Sequence, residues 1–152
     1  MDDEQFVYIK SSRFYYQAGQ LTRAAFAKLY DHLSGELSKR RGFESFNTLE
    51  PLFQSCMALH TGAYDASDFG PKNPQVAAKR QKTIAEETLK LYKQLAAKTK
   101  EFEIEVDNLT VPGPVGGEIP ISEIESTVDL LIDAGNKAYA AAGQSHSGSM
   151  SK

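Results

Sequence analysis

Apolar residues recur at steps of three and four along most of this chain, the spacing that aligns side chains on one face of an α-helix. Over residues 14–40, Leu21, Ala25, Leu29, His32/Leu33 and Glu36/Leu37 draw an apolar stripe with a polar back. Gly42 is a stop after the basic turn Lys39-Arg40-Arg41, whose charges suit the negative end of the helix dipole. Gly35 allows a break into two helices near Ser34. A second helix is predicted from Asn47 or Thr48, with Pro51 in its first turn, Leu52, Cys56, Leu59 and His60 along it, and Gly62 at its end. Residues 65–74 read as a loop. Asn73 as N-cap and Pro74 at N1 then open a third helix to about Lys100, with Ile84, Thr88, Leu91 and Leu95 on one side. A last helix starts near Pro120, where Ser122-x-x-Glu125 matches a capping box, and carries Ile124, Val128, Leu131, Ala138 and Tyr139 as far as Ala142.

Two stretches follow another period. Gln5-Phe6-Val7-Tyr8-Ile9 is a β-prone run, and residues 101–107 alternate strictly between acid and apolar, the pattern of a strand with one wet face. The expected fold is therefore all-α: an up-and-down bundle of four main helices, to which residues 5–9 and 101–107 could add a two-stranded sheet. Residues 111–117, rich in Pro and Gly, read as a loop. Residues 1–142 read as a single helical-bundle domain, and the Gly/Ser/Gln composition of 143–152 as a flexible tail.

Composition narrows the class. A chain of 152 residues is long enough for one self-sufficient core. A single cysteine excludes an intrachain disulfide and a Cys-rich zinc site. No apolar run approaches the roughly 20 residues of a membrane span, and the acidic start Met1-Asp2-Asp3-Glu4 does not read as a signal peptide. The expected location is a reducing cytoplasmic compartment, with no membrane partner.

The net charge of −3 conceals segregation. Residues 10–41 carry a net +5, residues 72–100 a net +6, and residues 101–133 hold nine acids and no base. Placed on different surfaces, these groups let one copy present a positive patch to the negative patch of the next. The alternative is neutralisation within one bundle. Lys72, Lys79, Arg80 and Lys82 cluster at the start of the third helix, where backbone N–H groups add to the attraction for phosphate or an acidic partner.

Catalytic signals are sparse. Cys56 and His60, four apart, could form a thiolate–imidazole pair, but the same spacing arises from core packing. His146 lies in the tail. No His-x-x-x-His, Glu-x-x-His or Cys-x-x-Cys occurs, Asp65 and Asp68 lack calcium-loop spacing, and Glu86 and Glu87 diverge on a helix. Phosphate-loop and nucleophile-elbow motifs are missing too. The expectation is no catalytic residues, no metal and no cofactor. Aromatics crowd the start of the chain: Phe6, Tyr8, Phe14, Tyr15 and Tyr16, with Phe43 and Phe46 further on. They either pack the bundle's ends or wait for a neighbouring subunit.

Three fragments resemble rod-shaped plant-virus coat proteins of the tobacco mosaic virus type. Gln5-Phe6-Val7-Tyr8-Ile9-Lys10-Ser11-Ser12 is similar to that family's Gln-Phe-Val-aromatic-aliphatic start. Leu49-Glu50-Pro51-Leu52 followed by Gly62-Ala63-Tyr64-Asp65 is similar to its Leu-Asp-Pro-Leu…Gly-Ala-Phe-Asp helix. Asn73-Pro74 followed by Lys79-Arg80 resembles the loop and basic pair that open its long helix. The order agrees, while the spacing inside the second fragment is longer here and the acidic stretch after residue 100 has no counterpart. The resemblance implies a structural salt bridge between Asp65 and Arg80, an RNA partner lying near Lys79, Arg80 and Lys82, and a place in a virion. The expected function is a non-enzymatic structural protein that self-assembles into a homo-oligomer as a filament, coat or ring subunit, with RNA coating as its sharpest form. The alternative is a monomeric helical adaptor, chaperone or effector that grips another protein.

Overall fold

A computed structural model describes residues 3–40, 43–61 and 73–150. Four helices dominate: α1 (Asp3–Ser38), α2 (Phe43–His60), α3 (Pro74–Glu101) and α4 (Ile124–Met150). Their contacts fix the directions. Along α1, Tyr8 meets Tyr139, Ser11 meets Gly135 and Tyr15 meets Asn136, so α4 runs antiparallel to it. Tyr30 of α1 lies against Glu50 and Phe53, and Gly19 faces His60, so α2 is antiparallel as well. Gly19 also faces Ala85, and Arg40 reaches Phe102, so α3 runs parallel to α1. The result is an up-and-down four-helix bundle, as the pattern predicts.

The helix α1 is the hub of the bundle. Tyr8, Ser11, Ser12, Tyr15, Ala18, Leu21, Thr22, Ala25, Phe26, Leu29, Leu33 and Leu37 are all buried, a band wide enough to take neighbours on several sides. Burying one such Leu or Phe fully contributes about 2 kcal/mol. The expected stripe Leu21, Ala25, Leu29, Leu33, Leu37 is this band, without a break at Gly35. Residues 5–9 are helix rather than strand. Tyr8 and Ile9 extend the same 3.6-residue band toward the chain start, and packing on α4 outweighs the β preference of five residues.

The starts of the three later helices differ in detail from expectation. The helix α2 opens at Phe43, so Pro51 sits in its interior, where it offers no N–H to the residue-47 carbonyl. In α3 the start at Asn73-Pro74 is where the pattern puts it. Asn73, however, is left-handed (φ 50°) and makes no side-chain cap; its carbonyl instead accepts from Ala77 N–H at 3.0 Å. The buried line of α3 passes through Ala78, Gln81, Ala85, Thr88, Leu89, Tyr92 and Leu95, which rotates Ile84 and Leu91 to its edge. Before α4, Ser122 lies in a 3-10 turn (Ile121–Glu123) with no side-chain cap, so the expected capping box does not form. The backbone of α4 continues helical past Gly143, into the segment whose composition reads as a tail.

Residues 101–107 are not a strand either. Burial alternates as the sequence does, with Phe102, Ile104 and Val106 turned inward and the acids exposed, but no second strand among the described residues pairs with them. The helix end intervenes. Ile104 N–H donates to Thr99 O at 2.8 Å and Glu103 N–H to Lys100 O at 3.2 Å, the two bonds of a Schellman cap. The sheet found among the described residues lies downstream, where β1 (Thr110–Pro112) pairs antiparallel with β2 (Glu118–Pro120) in register Val111↔Ile119. The expected loop therefore starts two residues late, at Gly113. Gly116 (φ 97°) and Gly117 (φ 75°) close the turn in a backbone region that side chains disfavour. Val111 is buried, and Pro112 to Pro114 rest near Tyr16 and Gln20, so the hairpin covers a further side of α1.

The gap between α1 and α4 is set by Gly135. A Cβ there would lie 2.5 Å from the Tyr15 ring, so no other residue fits without displacement. Glu103 (φ 55°) occupies the left-handed position of the Schellman cap, where glycine is preferred. Glu103→Gly is expected to stabilise the fold by about 0.5–1 kcal/mol in chemical denaturation, since relief of backbone strain exceeds the added unfolded-state entropy.

Candidate functional site

Of the basic cluster, Lys79, Arg80 and Lys82 lie in the second and third turns of α3; Lys72 is outside the described residues, and so is Asp65, with its implied bridge to Arg80. The helical spacing splits the three. Lys79 and Lys82, three apart, border one open cleft of about 240 Å³, and Arg80 does not. The remaining walls come from Tyr15 of α1 and from Asn136, Tyr139 and Ala140 of α4. Lys79 is exposed, Lys82 half-buried, and neither has a carboxylate partner among the described residues.

The cleft's floor is fixed by hydrogen bonds. The Tyr15 hydroxyl donates to Asn136 Oδ1 at 2.5 Å, and burial raises the Tyr15 phenol above its ordinary range. Gln75 Nε2 donates to the Tyr139 hydroxyl at 3.1 Å, and the Tyr139 ring meets Tyr8 edge-on at 5.0 Å. The sequence pattern does not single out Asn136, and it puts Tyr139 on the apolar stripe of its helix. Nothing short of the α1–α4 register brings either beside Lys79. The combination attracts anions, and it contains no nucleophile poised beside a base.

Cys56 and His60 lie on the same helix and are both buried, at 5% and 7% exposure. Thr88 spends its one hydroxyl proton on Ile84 O (2.6 Å), so at 2.8 Å it accepts from His60 Nε2–H. That fixes the tautomer and leaves His60 Nδ1 without a partner. Burial pushes the Cys56 thiol up and the His60 imidazole down to about 4, with Arg23 adding to the latter. Both shifts favour the neutral forms, the reverse of a thiolate–imidazolium pair.

A second cleft of about 290 Å³ lies between the end of α1 and the segment after α3. There His32 Nε2 bonds Glu105 O at 2.8 Å and Arg40 donates to Phe102 O at 2.5 Å, ties that hold the acidic segment down. Among the described residues, no group of three or more His, Cys, Asp or Glu converges as a metal site, and no helix is long and apolar enough to cross a membrane. Comparisons with family models, curated proteins and solved structures give no match.

His60 carries a pH dependence. Its folded pKa lies below the unfolded value of 6.5, so the unfolded chain takes up a proton first as pH falls, and stability drops between pH 6.5 and about 4. The loss from this group is at most about 3 kcal/mol. Urea titrations of the wild type and His60→Gln should show the stability gap between them narrowing by that order from neutral pH to pH 4. A constant gap would contradict the assignment.

Proposed function

We propose that this chain is a non-enzymatic structural subunit that assembles with copies of itself through oppositely charged surfaces. One observation carries the reading. Among the described residues the exposed acids Glu103, Glu105, Asp107, Glu123, Glu125 and Asp129 have no ion-pair partner, and neither do Lys79, Lys82, Lys93 and Lys100. The ion pairs Lys39–Glu36, Lys90–Glu87, Lys98–Glu101 and Lys137–Asp133 each stay within a few residues of one another. Among these residues the Lys98–Glu101 pair at the end of α3 joins the basic segment to the acidic one, while the other acids named and the four lysines make no direct pair. Both remain available to a second copy.

The acids gather where α3 ends and α4 begins, beside Lys100, while Lys79 and Lys82 lie toward the opposite end of the bundle. Contact between unlike ends is heterologous, so it propagates as a filament or closes as a ring. Exposed ion pairs contribute about 0–1 kcal/mol each, so a stable contact also needs apolar area. Phe6, Val76 and Leu130, each more than half exposed, are available for it. The resemblance to rod-shaped coat proteins supports the sharper form, a subunit that coats RNA with Lys79, Arg80 and Lys82 turned toward the nucleic acid. A monomer serving as an adaptor for another protein is the competing reading.

Light scattering behind a sizing column, with absorbance at 260 and 280 nm and negative-stain images of the fractions, separates these. Assembly should grow with concentration, weaken as salt rises past physiological strength, and disappear when Lys79, Arg80 and Lys82 are all changed to Glu. Excess 260 nm absorbance in the particles marks the RNA-coating form. A 16.7 kDa monomer at every salt and concentration would overturn assembly and favour the adaptor.

A further inference from the structure

The cleft between α1, α3 and α4 can be read donor by donor. Asn136 Oδ1 is occupied by the Tyr15 hydroxyl, so the Asn136 amide keeps its two N–H donors, and no acceptor among the described residues takes them. Tyr139 accepts from Gln75, which leaves its own hydroxyl proton to donate. Lys79 and Lys82 add two ammonium groups without a carboxylate counterpart. All four side chains hold unused donors, most of them charged. Among the described residues no carboxylate lines the cleft; Glu86, one turn beyond Lys82, acts on Tyr15 through space alone.

We infer that this cleft binds a phosphate monoester in its dianionic form. A monoester carries close to two negative charges above pH ~6 and three free oxygens, which answer two ammonium groups, an amide and a phenol. A phosphodiester offers one charge and two free oxygens, and leaves part of this set unanswered. The volume of about 240 Å³ admits the phosphate with a small organic group. That group meets the Tyr139 ring, held edge-on by Tyr8, and Ala140. The walls all belong to one chain, so the site exists in a monomer and does not rest on assembly.

Calorimetry on the full chain tests this with two probes, inorganic phosphate and ribose 5-phosphate, at roughly pH 7.5 and 5.5, either side of the second phosphate ionisation. Light scattering on the same samples records assembly. The expected result is saturable one-to-one binding that weakens at the lower pH and falls by about tenfold or more in Lys82→Gln, the loss of one charge-assisted bond. Asn136→Asp keeps an oxygen acceptor for Tyr15 and replaces the donor amide with a carboxylate, so it should abolish binding while the thermal melt stays cooperative. Lys90→Gln, outside the cleft and paired with Glu87, should bind as the wild type does. Tighter binding of the ester assigns the site to a phosphorylated small molecule, and equal binding to the phosphate group alone. No saturable binding, binding unmoved by both cleft variants, or preference for a single-stranded RNA without terminal phosphate would overturn the inference. Ribose 5-phosphate binding to a strict monomer would sink the assembly reading and leave this one standing; particles that ignore both probes would do the reverse.

Discussion

Everything in this bundle is registered by the close approach of α4 to α1 at Gly135. With no side chain at that position, the Tyr15 ring lies flush on the α4 backbone, and Ser11 donates to the Gly135 carbonyl at 2.8 Å. The bond is buried, so breaking it would leave polar atoms unsatisfied in the core. One residue further, Asn136 accepts from Tyr15, and one turn further Tyr139 meets Tyr8. A shift of α4 by a single residue would undo all of these together.

That register has consequences at a distance because α1 is shared. The same helix that fixes α4 also sets α3, with Gly19 against Ala85, and α2, with Gly19 against His60. Lys79 and Lys82 therefore meet Asn136 and Tyr139 through α1, although α3 and α4 touch each other little. The cleft is a product of helix packing, and so is the burial that keeps Cys56 and His60 neutral. The charged surfaces are independent of it. They follow from where the acids and bases fall along the chain: the helical period keeps the lysines of α3 outward, and the two-residue alternation after it does the same for Glu103, Glu105 and Asp107.

Much of the fold was legible in the sequence, for identifiable reasons. Leu21 to Leu37 repeat often enough to specify a helix and its buried face, and Asn73-Pro74 marks a helix start by backbone restriction alone. The misreadings involve short signals that tertiary contacts decide. Five β-prone residues at the chain start became helix because α4 covers Tyr8. The alternation at 101–107 correctly predicted which side chains turn inward, while a left-handed Glu103 turned the chain away from any strand partner. The hairpin was missed because Pro112 and Pro120 mark the ends of its strands, where proline usually signals loop. Of the site, the lysines were visible as a cluster. Asn136 was not, since a lone polar residue on an amphipathic helix carries no sign of what faces it, and Gly135 beside it looked like any small residue.

The position of Gly135 directly under the Tyr15 ring, which registers α4 on α1, can be tested in solution. In a heteronuclear NMR spectrum the Gly135 Hα protons should be shifted strongly upfield by the Tyr15 ring current, with cross-relaxation peaks to the Tyr15 ring protons. Gly135 Hα shifts at ordinary helical values, with no such peaks, would place α4 elsewhere on α1 and take the cleft with it.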